Sequence, residues 1–129
     1  MPFDNPHEMP FGDIEILRDA RSRISNRRDW VQGCFRDGDR HCLVAALSVA
    51  SGSRSFRRSN QTERRLARSL ARQLPEAAPF WAKSQLIPAR QRLMWFNDNA
   101  ATHHADVMAL FDRTIEQLAR AMPPVLTVA

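Results

Sequence analysis

Apolar residues recur at helical spacing along most of this chain. Over residues 13–26 they recur every three or four positions and predict an amphipathic helix, with Ile16, Leu17, Ala20 and Ile24 on its buried face. A second apolar stripe over residues 107–122 predicts the last helix. We expect this helix to begin at Thr102 as its N-cap and to end before Pro123.

Two further helices follow from the middle of the chain. Residues 41–51 are apolar on every side and stop at Gly52, which predicts a central, buried helix. The next helix begins at Asn60, an N-cap residue followed by Glu63 three positions later. Its two faces differ in chemistry: Leu66, Leu70 and Leu74 share one face, and Arg64, Arg65, Arg68 and Arg72 lie on the opposite side.

The remaining segments are predicted from prolines and glycines. Pro88 suits the first turn of a fourth helix that runs to about Phe96. Residues 75–87 are expected to connect the helices, held on the core by Phe80, Trp81, Leu86 and Ile87. Residues 32–40 form a loop with an Asp-Gly turn signal. A small hairpin is one alternative there, but its flanks alternate poorly and we do not predict it.

These elements predict an all-α fold with a single compact domain of about five helices. The apolar helix 41–51 is expected at its centre, with the last helix packed across it. A flexible N-terminal arm is expected over residues 1–11, the helical domain over 12–122 and a C-terminal tail over 123–129. The length of 129 residues is typical of one domain with one core.

Composition excludes several classes of protein. A hydrophobic fraction of 43% with 26% charged residues is globular, and no apolar run is long enough to span a bilayer. The first eleven residues lack the basic and apolar regions of a signal peptide, so we expect a cytoplasmic protein. Cys34 and Cys42 are too few for a disulfide scaffold, and a reducing compartment would keep them as thiols.

Positive charge is concentrated in one segment of the chain. The basic residues are eighteen arginines and Lys83, a ratio for which a GC-rich genome is a sufficient cause. Residues 54–72, however, hold seven arginines against Glu63, so the segment is +6 and the rest of the chain sums to −1. We predict a small non-catalytic binding module that docks an anionic partner, either nucleic acid or an acidic protein. The candidate partner-binding residues are Arg57, Arg58, Arg64, Arg65, Arg68 and Arg72.

The alternative is that this segment is a plain solvated face, whose charge is neutralised by acidic residues of a neighbour such as Asp112 and Glu116. Single-strand base stacking is poorly supported, since Phe56 is the only aromatic residue of the segment and the chain has no tyrosine. A homo-oligomer that uses the Trp81 segment or residues 125–128 is a further hypothesis.

The junction before the last helix carries the second candidate site. Asn97, Asp98, His103 and His104 define a candidate pocket, because the start of a helix attracts anions and imidazoles serve as general bases. This gives the rival hypothesis of an enzyme or small-ligand-binding protein that uses the corner from Asn97 to Asp106. The structural alternative places both histidines at the margins of the buried stripe, as neutral rings that close the corner.

No motif predicts a metal, a cofactor or a catalytic nucleophile. Cys34 and Cys42 are separated by seven residues, outside the usual spacing of structural zinc ligands, and nothing pairs either thiol with a particular base. The chain has no Gly-rich phosphate loop, no Gly-x-Ser-x-Gly elbow and no His-Glu-x-x-His.

Four short motifs resemble those of a known family. They are Trp30-x-x-Gly33, Cys42-Leu43-x-Ala45-Ala46-Leu47, Phe96-Asn97-Asp98 and Asp106-Val107-x-Ala109-Leu110-x-Asp112. Together they are similar to a bacterial family of short proteins classed as a domain of unknown function, over roughly residues 13–120. The resemblance implies one compact domain and supplies no activity.

Overall fold

The computed structural model describes residues 10–76 and 79–122, in which five α-helices lie. The helices are α1 (Pro10–Arg23), α2 (Leu43–Ala50), α3 (Gln61–Ala71), α4 (Ala89–Asp98) and α5 (His104–Ala121). A two-stranded hairpin, β1 (Arg36–Asp37) and β2 (Arg40–His41), precedes α2, and 3-10 turns span Arg27–Asp29 and Phe80–Lys83. The predicted mostly helical domain of about five helices is confirmed. The predicted arm over 1–11 falls largely outside the described residues, and the tail over 123–129 wholly outside them.

Helix α2 is central, as its apolar sequence predicts. Six consecutive residues from Leu43 to Ser48 are buried, and α2 contacts α1, α3 and α4. Its first turn is capped twice: the Cys42 Sγ accepts a hydrogen bond from the Ala45 N–H at 3.3 Å, and the Asn97 Oδ1 accepts one from the Leu43 N–H at 3.1 Å. These acceptors satisfy N–H groups that a helix start otherwise leaves unpaired.

The hairpin before α2 was not predicted from the sequence. Arg36 pairs with His41 and Asp37 with Arg40, so the connecting loop has two residues, of which Gly38 comes first with φ of +63°. Glycine at the first loop position is the requirement of a type II′ hairpin turn. The turn glycine, rather than alternation along these two-residue strands, therefore sets the pairing. The Val31 N–H donates to the His41 carbonyl at 3.1 Å and joins the hairpin to the preceding loop.

The last helix differs from the prediction in its start and its neighbours. Its N-cap is His103 rather than Thr102, and the Asp106 carboxylate accepts a hydrogen bond from the His103 backbone N–H at 2.8 Å. Thr102 is buried one position earlier. The expected packing of α5 across α2 is wrong: α5 contacts chiefly α1 and α3, because α1 lies against both α2 and α5.

The connecting segment before α4 is only partly held on the core. Trp81 and Ile87 are half-buried, and Trp81 packs edge-on against Trp95 with ring centroids 5.5 Å apart. Phe80 and Leu86 are 89% and 94% exposed, so the prediction that they contact the core is wrong. A 3-10 turn of four residues turns successive side chains to different sides, and only Ala82 of this turn is fully buried. No helix in the described part is long and apolar enough to cross a membrane.

Candidate functional site

Helix α3 forms one wall of a groove. Its apolar face, which includes Leu66 and Leu70, is fully buried, and Arg64 and Arg68 are exposed on the other side. The helix begins at Asn60, as predicted, since the Asn60 Oδ1 accepts a hydrogen bond from the Glu63 N–H at 2.8 Å. The opposite wall comes from residues 83–92, which connect the second 3-10 turn to the first turn of α4.

Two adjoining cavities make up this cationic groove, with volumes of about 380 Å³ and 250 Å³. They share Arg68, Gln85 and Arg92. The larger cavity is completed by Ser59, Arg64, Ala67, Ile87, Pro88, Ala89 and Arg90, and the smaller one by Ala71, Arg72 and Lys83. None of the described residues that line either cavity is acidic.

Arg92 is the most buried cation of the groove. The residue is only 8% exposed, and its guanidinium donates to two backbone carbonyls: Nε to Ile87 at 3.0 Å and Nη1 to Ala82 at 2.8 Å. Its Nη2 has no hydrogen-bond partner in the described part of the chain, and no carboxylate there pairs with it. The Nη2 is not among the buried unpartnered atoms of the described residues, so an anion can reach it and pair with a guanidinium that lacks a carboxylate partner.

Arg68 and Arg72 add unpaired positive charge next to Arg92. Both are exposed, and neither side chain makes a hydrogen bond or ion pair with the described residues. Arg72 is the C-cap of α3 and lies four positions after Arg68, so the two side chains emerge about 6 Å apart along the helix axis, on the same side of it. Lys83 completes this group: its Nζ donates to the Leu74 carbonyl at 3.1 Å and lies 3.7 Å from the Glu76 carboxylate.

The other two arginines of the larger cavity are held by the protein itself. Arg64 donates to the Ser59 carbonyl. Arg90 donates through Nε to the Glu63 Oε2 at 2.9 Å and through Nη2 to the Phe56 carbonyl, and its guanidinium lies 5.3 Å from the centre of the Phe35 ring. The uncompensated charge is therefore concentrated around the smaller cavity.

Glu63 is a buried carboxylate that fixes Arg90. It is 0% exposed, and its Oε1 accepts hydrogen bonds from the Ser48 and Ser53 hydroxyls at 2.8 and 2.7 Å. The spacing of Asn60 and Glu63 is that of a capping box, in which the Glu63 side chain would bond back to Asn60. In the structure the Glu63 side chain instead points into the protein. Two hydroxyls and one guanidinium satisfy this carboxylate, and they tie α2 and the 53–60 loop to α4.

The structure places three of the six predicted partner-binding arginines in the groove: Arg64, Arg68 and Arg72. Arg65 instead forms an ion pair with the buried Asp13 of α1, with Nη2 and Oδ1 2.8 Å apart. Arg57 and Arg58 are exposed on the loop and line neither cavity. Asp112 and Glu116, which the alternative of a solvated face assigns to neutralising this segment from a neighbour, pair in the described part of the chain with Arg21 and Arg120.

Lys83, Arg90 and Arg92 are groove residues that the sequence analysis missed. One signal was available: no acidic residue occurs between Glu76 and Asp98, and these three cations lie in that interval. Sequence alone does not show that this interval faces the arginines of α3.

The predicted corner pocket does not bring its four residues together. Asn97 is 0% exposed: its Oδ1 accepts from the Trp30 Nε1 at 2.6 Å, and its Nδ2 donates to the Val31 carbonyl at 3.1 Å. Asp98 accepts from the Gly33 N–H at 2.8 Å. Both residues therefore fix the corner, and both belong to the last turn of α4.

The two histidines do share a cavity, of about 400 Å³, with Arg27, Trp30, Gln32 and Thr102 among its lining. The His104 Nε2 is hydrogen-bonded to the Ile24 carbonyl at 2.7 Å, and its ring packs on Trp30. His103 is 80% exposed, so its predicted position at the margin of the buried stripe is wrong. No described residue that lines this cavity is acidic, and the enzyme hypothesis for the corner stays a prediction.

The cysteines lie on one further cavity, of about 290 Å³, which Met94 and Asp98 also line. Cys34 is exposed and Cys42 is buried. Burial raises the pKa of the Cys42 thiol from 9.0 to about 11, so this thiol is unreactive at neutral pH. Within the described ranges, no three His, Cys, Asp or Glu side chains come together in a way that could hold a metal ion.

Comparison with known protein families identifies the family of this chain. The sequence pattern of a family of unknown function, DUF6197, covers residues 10–117. This match confirms the resemblance inferred from the four short motifs. No curated protein and no solved structure matches the chain.

Proposed function

The chain belongs to DUF6197, a family of unknown function, and we propose that it is a small binding module that docks an anionic partner in the cationic groove. The observation that carries the proposal is Arg92, a residue only 8% exposed that lines both cavities and has no carboxylate partner among the described residues. An anion there would supply the missing counter-charge.

The chemistry around Arg92 supports the same proposal. Guanidinium groups present planar pairs of donors that match phosphate and carboxylate oxygens. Arg68 and Arg72 have no partner to give up among the described residues, so an incoming anion would not have to break an existing ion pair with either of them. The groove contains no described nucleophile with an adjacent base, which favours binding over catalysis.

Titration with inorganic pyrophosphate at low ionic strength, followed by calorimetry, tests the proposal. We expect saturable binding at one site that weakens as salt is added. The double variant Arg68→Glu with Arg72→Glu should bind at least roughly a hundred-fold more weakly, because it loses two charge-assisted bonds worth about 1.5 kcal/mol or more each.

Arg57→Glu with Arg58→Glu is the matched control. It removes the same charge from the same segment but changes no residue of the groove. Equal losses in the two double variants would show that binding depends on net charge alone and would contradict the proposal. Labelled single-stranded DNA and polyglutamate in the same buffer report whether a nucleic acid or an acidic protein is the partner.

A further inference from the structure

We infer, on the basis of the proposed function, that the groove accepts a small organic phosphate monoester, with the phosphate in the smaller cavity and an apolar body in the larger one. The inference rests on the contrast between the two adjoining cavities. The smaller one is lined by Arg68, Arg72 and Arg92, none of which has a carboxylate partner among the described residues. The larger one shares Arg68 and Arg92 but adds an apolar surface, and its two additional arginines are already bound to the protein.

The smaller cavity has the chemistry of an oxyanion site. Arg68, Arg72 and Arg92 meet there with Lys83 and Gln85, and Ala71 is the one apolar residue of its described lining. Four of the five can donate bonds that no described residue accepts: Arg68, Arg72, Gln85 and, through its Nη2, Arg92. A phosphate monoester carries about −1.5 to −2 charges at pH 7 and three acceptor oxygens, so it matches this donor set better than a carboxylate does.

The larger cavity provides an apolar surface next to that site. Ile87, Pro88 and Ala89 line one side and Ala67 lines the other. Its two additional arginines are committed elsewhere: Arg64 to the Ser59 carbonyl and Arg90 to Glu63 and the Phe56 carbonyl. An apolar group attached to the phosphate would therefore bury itself here without leaving a free charge unpaired.

The dimensions favour a small molecule over a macromolecule. Cavities of about 380 and 250 Å³ that share three residues are of the size of small-ligand pockets, roughly 300–1,000 Å³. Arg92 lies recessed at their junction and is 8% exposed, so a ligand must enter the groove to contact it. A nucleic acid or an acidic protein surface would contact Arg68 and Arg72 from outside and leave this edge unused.

Calorimetric titration of the full chain with inorganic phosphate, phenyl phosphate and benzoate tests the inference. Phenyl phosphate is expected to bind at least about ten-fold more tightly than either of the other two, because it alone fills both cavities. In a methyl-labelled sample, the Ile87 methyl resonances should shift with phenyl phosphate, through the ring current, and not with inorganic phosphate. Ile87→Ser should reduce the affinity for phenyl phosphate while the affinity for inorganic phosphate stays within about two-fold. Arg72→Glu should reduce both affinities.

The outcomes separate this inference from the proposed function. If phenyl phosphate binds no more tightly than inorganic phosphate and the Ile87 methyls do not shift, the inference is wrong while anion binding stands. Binding of long polyanions alone also overturns the inference and leaves the proposed function intact. If no anion binds, including pyrophosphate, both fail. The methyl shifts in the unsubstituted chain keep the test valid even if Ile87→Ser does not fold.

Discussion

Substitution of Glu63 by glutamine removes the charge of the buried carboxylate while keeping its size. The Glu63 Oε1 accepts from the Ser48 and Ser53 hydroxyls, and its Oε2 accepts from the Arg90 Nε at 2.9 Å. The amide oxygen of glutamine can keep the two hydroxyl bonds. Its NH₂ group then faces the Arg90 Nε, so two donors oppose each other where a charge-assisted bond was present.

The expected loss of stability follows from the burial of the two side chains of the Glu63–Arg90 ion pair. The Glu63 side chain is 0% exposed and that of Arg90 is 22% exposed. Loss of a hydrogen bond to a charged group costs about 1.5–3 kcal/mol, and removal of one partner of a fully buried ion pair costs about 3–5 kcal/mol. Because Arg90 keeps the Phe56 carbonyl and some solvent, we expect Glu63→Gln to reduce the free energy of unfolding by about 3 kcal/mol.

Urea denaturation measures this loss directly. With a slope of about 1.5–2 kcal/mol per molar urea, a loss of about 3 kcal/mol lowers the midpoint by about 1.5–2 M at unchanged slope. Asp112→Asn is the matched control, because it breaks the Arg21–Asp112 pair of 2.8 Å whose side chains are 35% and 59% exposed. An exposed pair of this kind is worth about 1 kcal/mol or less. If Glu63→Gln costs no more than Asp112→Asn, the assignment of Glu63 as a structural anchor is refuted.

Two further predictions concern buried groups. Because burial raises the pKa of Cys42 from 9.0 to about 11, the fold favours the neutral thiol, and about 3 kcal/mol of stability present below pH 9 should be lost between pH 9 and 11. Unfolding curves at several pH values should show this loss in Cys34→Ser and not in Cys42→Ser; the same loss in both would contradict it. Asn97→Ala leaves the Trp30 indole N–H and the Leu43 N–H without acceptors and should cost about 4 kcal/mol in urea denaturation. The control Asn99→Ala, which removes one half-exposed turn bond, should cost about 1 kcal/mol, and equal costs would argue against a special role of Asn97.

The helices were predictable from sequence because each one has a local signal. Gly52, with φ of +77°, marks the end of α2, and Asn60 caps α3 as its residue type predicts. The start of α5 was missed by one residue: the first helical hydrogen bonds go to the His103 carbonyl, whereas the Thr102 carbonyl takes part in a tertiary contact instead. The Thr102 carbonyl accepts a hydrogen bond from the Gln32 side chain, seventy residues away in sequence.

Only one wall of the groove was predictable from sequence, because the other wall depends on tertiary contacts. The spacing of Arg68 and Arg72 places them together on any helix, so one wall follows from sequence alone. The other wall depends on how residues 83–92 fold back against α3, which is a tertiary contact without a local pattern. The position of Arg65 also depends on a tertiary contact: it belongs to the same cationic segment, but it forms an ion pair with the buried Asp13 of α1 instead of lining the groove.

Arg92 holds the cationic groove in shape through its own hydrogen bonds. A guanidinium has five N–H donors, and the two bonds to the Ala82 and Ile87 carbonyls tie the 3-10 turn and the following loop to α4. Those carbonyl dipoles offset part of the cost of burying the charge without neutralising it. One side chain therefore holds the groove wall in place, lines both cavities and keeps a donor, the Nη2, that no described residue uses. A lysine at this position would have three donors on one nitrogen, whereas the planar guanidinium of Arg92 spreads five donors over three nitrogens and can bond two separate carbonyls and an anion at once.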